Sequence, residues 1–150
     1  MHLATAIAIE AGVDPQSVIL VRHSNARTAQ LRKAGGSLEE YTLIQPTNSK
    51  YDYLAEGKMP IFVVVAIVDD KVHFVYRIHG IEKIGTTRSL TSPAFNRFDE
   101  AIGYPERPAR KFKAEPIRSR TLGRTVSGWS SKRNAVARYG TVIFDSVVYL

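Results

Sequence analysis

Leu3, Ile7 and Ala11 fall on one helical stripe of an Ala- and Ile-rich opening that runs from Leu3 to Glu10. Gly12 is its stop, and Asp14-Pro15 turns the chain. Ser17-Val18-Ile19-Leu20-Val21-Arg22-His23 reads as a buried strand whose last residues become polar. Asn25 caps a short helix over 26–33, which Gly35-Gly36 ends. Ser37-Leu38-Glu39-Glu40 has the form of a capping box for another short helix, reaching to about Ile44. Gln45-Pro46-Thr47-Asn48-Ser49 is a polar loop.

The strongest signal is a β-hairpin. Residues 60–68 are apolar and mostly β-branched, Asp69-Asp70 makes a two-residue turn, and residues 71–78 alternate. The second strand is expected to continue through Ile84, with Gly80 as a bulge or bend. Residues 85–92 form a loop, and Ser92-Pro93 opens a short helix to Ile102. Weaker strand signals lie near 109–117 and 122–126, and a final strand is expected over 141–150. These elements predict an α+β fold: a strongly bent mixed or antiparallel sheet, or a small β-barrel, with short flanking helices.

At 150 residues, 44% apolar and 23% charged, the chain has the size and composition of one globular domain spanning 1–150. It has no cysteine, which excludes a disulfide scaffold, a thiolate metal site and a cysteine nucleophile. Its longest apolar run, residues 59–68, is too short to cross a bilayer, and its start lacks a basic leader. The expectation is a soluble cytoplasmic protein without a membrane partner.

Charge changes the picture more. The net charge is +7, from 21 Lys and Arg against 14 Asp and Glu. Residues 1–103 balance at 11 of each sign, so the surplus lies in 104–150, with 10 basic side chains against 3 acidic. Seven of those ten are arginines, whose planar fork suits phosphates and guanine edges. Such asymmetry points to a polyanionic partner, nucleic acid before acidic lipid or protein; the bland reading is a solvated basic face.

Catalytic and cofactor motifs are absent from the pattern. No Gly-rich phosphate cradle occurs, so no nucleotide cofactor is implied. His2, His23, His73 and His79 lack carboxylate or Cys neighbours at ligand spacing, so no metal is expected. Asp69-Asp70 suits a turn, and Asp99-Glu100 and Glu39-Glu40 suit helix surfaces and caps. No general acid–base pair emerges, and the chain alone is expected to lack catalytic activity.

Two segments suit recognition. Val21 leads from a core strand into Arg22, His23, Ser24, Asn25, Ala26 and Arg27, a polar edge held on a rigid element. The alternative is strand exit and helix cap. Ser127-Gly128-Trp129-Ser130-Ser131-Lys132-Arg133-Asn134 sets the single tryptophan among small residues and cations. That ring either stacks on a base or binds a guanidinium, or it anchors the loop to the core. Tyr41, Gln45 and Asn48 could add base-edge hydrogen bonds, and Arg118, Arg120 and Arg124 are expected to contact phosphates.

Leu20-Val21-Arg22-His23, the strand 60–68, Phe74-Val75-Tyr76-Arg77-Ile78 before a glycine, and Val126-x-x-Trp129-x-x-x-Arg133 before the closing segment occur in a telling order. Over most of 17–148 the chain resembles the N-terminal domain that precedes a GIY-YIG nuclease module in a group of bacterial restriction-like proteins. No nuclease module can be read in these 150 residues. The resemblance implies the targeting part of a restriction or defence protein, with duplex DNA, plain or modified, as ligand and a nuclease domain or subunit as associate. The alternatives are a small metal-dependent nuclease and a protein-interaction module with an acidic partner.

Overall fold

The computed structural model describes residues 1–47, 63–130 and 135–150. The chain is α+β and its main sheet is mixed, as the sequence predicts. In order come α1 (Leu3–Ala11), a 3-10 turn (Pro15–Ser17), β1 (Val18–His23), α2 (Asn25–Lys33), α3 (Leu38–Leu43) and β2 (Ile44–Pro46). After residues 48–62 follow β3 (Val63–Val68), β4 (Lys71–Thr86), α4 (Pro93–Ala101) and β5 (Pro108–Pro116). The chain closes with β6 (Val126–Ser127), β7 (Val136–Arg138), α5 (Val142–Ser146) and β8 (Val148–Tyr149). The six-stranded sheet has the order β2-β5-β4-β3-β1-β7; β6 and β8 form a separate pair.

The Cα trace divides into two compact units. The first is drawn from residues 1–24, 59–78 and 115–150, the second from 25–58 and 79–114, so β4 and β5 each contribute to both.

In the first unit, β1 pairs with β3 in parallel, and with β7 in antiparallel fashion. Parallel neighbours are buried on both faces, which explains why β1 and β3 are apolar without alternation. Leu3, Ile7 and Ala11 pack with Val18, Leu20, Val63, Val65 and Ile67, together with Ile143, Phe144 and Val147. The helical stripe read from the sequence therefore meets one face of the strands. Gly12 ends α1 in the left-handed conformation, φ +70°, where only glycine is unstrained. Asp69 and Asp70 both have positive φ, 52° and 54°, as a two-residue hairpin turn of the primed kind requires.

The alternation expected over 71–78 breaks. The β3–β4 register shifts between Ala66, paired with Phe74, and Ile67, paired with Val72, so His73 is the extra residue of a bulge. Val72 and Val75 consequently both reach the same core.

The strand expected over 141–150 is helical over Val142–Ser146 and is strand only at Val148–Tyr149. Thr141 Oγ1 accepts from the Phe144 amide at 3.2 Å and caps α5. Ile143 and Phe144 are both buried in one core, whereas a strand would send these neighbours to opposite faces. Of the strand signal at 122–126, Val126 belongs to β6, paired with Tyr149, and Thr125 forms an isolated antiparallel bridge with Lys71.

The second unit holds α2, α3, α4, β2, residues 79–86 of β4 and residues 108–114 of β5. Its core is Leu31, Phe95 and Phe98, with Tyr41 and Ile102 packed against them. The Tyr41 ring meets Phe95 and Phe98 edge-on at 5.9 and 5.4 Å. Ser37 Oγ accepts from the Glu39 and Glu40 amides and starts α3 as expected. The reciprocal half of the capping box is replaced: the Glu40 carboxylate accepts from the Ser92 amide at 2.7 Å and its hydroxyl at 2.8 Å. Glu40 thereby fixes the cap of α4, where Ser92 Oγ accepts from the Phe95 amide. Among the described residues no helix is long and apolar enough to cross a membrane.

Candidate nucleic-acid interface

The first unit carries Arg22, His23, Arg118, Arg120, Arg124 and Trp129; the second carries Arg27 and Gln45. Asn48, Lys132 and Arg133 lie outside the described residues.

Arg118, Arg120 and Arg124 are exposed on the segment between β5 and β6. That segment is tied down along its length. The Ile117 amide donates to the Val75 carbonyl at 2.9 Å and the Gly123 amide to the Val72 carbonyl at 2.8 Å, while the Val72 amide donates to the Arg124 carbonyl at 3.1 Å. Glu10, on α1, closes it from another side: its carboxylate accepts from Ser119 Oγ at 2.6 Å and from the Arg120 amide at 2.8 Å. Ser119 and Thr121 are buried beneath and hydrogen-bond each other at 2.8 Å. The alternation of buried Ser119 and Thr121 with exposed Arg118 and Arg120 turns the guanidinium groups outward on a fixed backbone. Arg124 lies over the Tyr149 ring at 5.6 Å.

Arg22 and Trp129 form a second feature. The Arg22 guanidinium lies 5.2 Å from the Trp129 ring centroid, and its amide donates to the Ala135 carbonyl at 2.7 Å. Trp129 is half-buried and packs against the first unit's core. The ring thus both meets a guanidinium and anchors its loop to the core.

His23 closes β1 and is buried, 9% exposed. Burial and, secondarily, the positive charge of His73 push its pKa down from 6.5 to about 4. At neutral pH it offers a hydrogen-bonding imidazole and no charge. Gln45 spends its side-chain amide on the end of α3, donating to the Tyr41 and Thr42 carbonyls at 3.0 Å each.

One cluster was not legible as a site. Tyr104 has the guanidinium groups of Arg107 and Arg27 at 4.8 and 5.4 Å from its ring centroid. Asp99, read from the sequence as helix surface, is only 4% exposed. Burial raises its carboxyl pKa, against the opposing pull of Arg107 and Arg88. The signal was available: Phe95, Phe98, Asp99 and Ile102 follow the i, i+3, i+4, i+7 spacing of one buried helix face. Among the described residues no group of three His, Cys, Asp or Glu side chains could hold a metal ion. Comparison with family models, with characterised proteins and with solved structures finds no match to this chain.

Proposed function

We propose that this chain is a DNA-binding domain that grips the phosphate backbone through the loop bearing Arg118, Arg120 and Arg124. The observation that carries this reading is the anchored loop. Glu10, the edge of β4 and a buried Ser119–Thr121 pair hold its backbone while its arginines face solvent. A cation held on a rigid backbone loses less entropy on meeting a phosphate than one on a mobile tail. The Arg22–Trp129 pair supplies the selective element. In the setting the sequence resemblance suggests, the domain targets a bacterial restriction or defence nuclease to duplex DNA, plain or modified.

The test is duplex binding across a salt series. If about five cations engage phosphates, log affinity falls against log salt with a slope of about −4 to −5. Replacing Arg118 and Arg120 by Ala lowers affinity for all sequences alike and flattens that slope by about two. Absence of binding at low salt, or a slope near zero, overturns the reading. Cleavage of the duplex in Mg²⁺ would instead favour a nuclease.

A further inference from the structure

The second unit gathers three arginines around one tyrosine. Arg27 comes from α2, Arg88 from the loop after β4, and Arg107 from the residue before β5. Arg27 and Arg107 lie against the Tyr104 ring. Arg88 Nη2 donates to the Tyr104 carbonyl at 3.2 Å. Tyr104 is 41% exposed, and the Arg88 and Arg107 side chains are 30% and 36% exposed, so the group reaches the surface.

Like charges gathered this closely need a counter-charge. The nearby carboxylates supply it poorly. Arg107 meets Asp99, and Arg88 meets Glu100, only at 3.9 Å, the outer limit of an ion pair. Glu106 accepts instead from the Thr86 hydroxyl at 2.6 Å. The buried Nε atoms of Arg88 and Arg107 have no hydrogen-bond acceptor among the described residues. Buried guanidinium donors left without acceptors are costly, and arginine's planar fork matches a tetrahedral oxyanion.

We propose that Arg27, Arg88 and Arg107, assembled on Tyr104, form a phosphate-binding site in the second unit. The shared chemistry is a phosphate oxyanion, borne by an internal phosphodiester, a terminal phosphate monoester or free phosphate. The Tyr104 ring holds two of the guanidinium groups in place before the anion arrives, which lowers the ordering cost of binding. The site does not depend on the Arg118–Arg124 loop or on the duplex-binding reading.

The experiment follows the arginine Nε–Hε resonances of the full chain by NMR at constant ionic strength. The titrants are inorganic phosphate, a dinucleotide with a 5′-phosphate and the same dinucleotide without it, with chloride as control. The Arg88 and Arg107 signals are expected to shift saturably with at least one phosphate and not with chloride. Response to inorganic phosphate alone identifies free phosphate as the ligand; response to the 5′-phosphorylated dinucleotide alone identifies a terminal monoester. Response to both dinucleotides identifies the internal diester. Arg107→Gln should weaken binding about tenfold or more, and Arg27→Gln, on α2, serves where Arg107→Gln fails to fold. The double variant Arg118→Ala/Arg120→Ala should leave this binding unchanged while it weakens duplex binding. No saturable shift with any phosphate, the same shift in chloride, or shifts indifferent to both Gln variants overturns the site.

Discussion

The guanidinium of Arg22, near the end of β1, lies 5.2 Å from the ring centroid of Trp129, more than a hundred residues later in the chain. Trp129 also packs on the core that β1 itself helps to build. A single indole thus joins core to candidate contact surface, and its removal must be felt in both.

Trp129→Ala is accordingly expected to lower stability by about 2–3 kcal/mol, less than the loss of a fully buried aromatic because the ring is half-exposed. Arg22→Ala alone should cost little. A double-mutant cycle between the two should give a coupling of about 0.5–1 kcal/mol, the worth of a partly solvated cation–π contact. Denaturant unfolding measures all three variants. Strict additivity would show that the Arg22 contact contributes nothing.

Gly128, beside that ring, has φ +87°, and a Cβ there would run into the Ser146 carbonyl oxygen. Ser146 Oγ also donates to the Gly128 carbonyl at 2.6 Å. Gly128→Ala should therefore be strongly destabilising, by about 3 kcal/mol or more, since backbone strain and collision add. Gly12, at φ +70° with no atom within 4 Å of where a Cβ would stand, isolates the conformational cost. Gly12→Ala should lose only about 1 kcal/mol. Equal melting temperatures for the two variants would contradict the close approach of these chain segments.

The elements that could be read from sequence are those set by local chemistry. Gly12 at the end of α1, Ser37 and Ser92 as caps and Asp69-Asp70 as a turn act within four residues of where they stand. The elements that could not be read depend on distant partners. Val142-Ile143-Phe144 has strand composition, yet the demand that Ile143 and Phe144 enter one core makes it helical. His73 becomes a bulge through pairing with β3, which its own neighbours do not encode. The candidate surface divides in the same way. The positive surplus of 104–150 was visible as charge, but the Glu10 latch spans 109 residues to Ser119, and Arg27 meets Tyr104 only after folding.

The latch gives a local prediction. Glu10→Ala removes the acceptor of the Ser119 hydroxyl and the Arg120 amide. The Arg120 amide should then exchange with solvent markedly faster, while amides of β1 and β3 keep their protection. The loss of two hydrogen bonds should reduce global stability by about 1–2 kcal/mol. Unchanged exchange at Arg120 would show that the β4 hydrogen bonds alone hold the loop.

His23 gives the pH dependence its sign. Its folded pKa of about 4 lies below the ordinary 6.5, because burial and His73 disfavour the imidazolium. Between these values the unfolded chain holds a proton that the folded chain does not, so acid favours unfolding. His23's contribution is fully present above about pH 6.5, falls as the pH drops toward 4 and levels off below. The full difference is about 3 kcal/mol. Asp99 works in the opposite sense: its raised carboxyl pKa confers stability that is lost as the pH rises through its folded value. Comparison of the wild-type chain with His23→Gln cancels the Asp99 contribution and leaves His23's. The difference in unfolding free energy between the two should slope upward with pH from 4 to 6.5 and be flat above. The His23 imidazole should titrate near pH 4 by NMR, and His73→Gln should move that midpoint upward by the smaller, electrostatic share. An imidazole that titrates at its ordinary value would mean that β1 ends in solvent, and His23 would then carry charge to any anionic partner at mildly acidic pH.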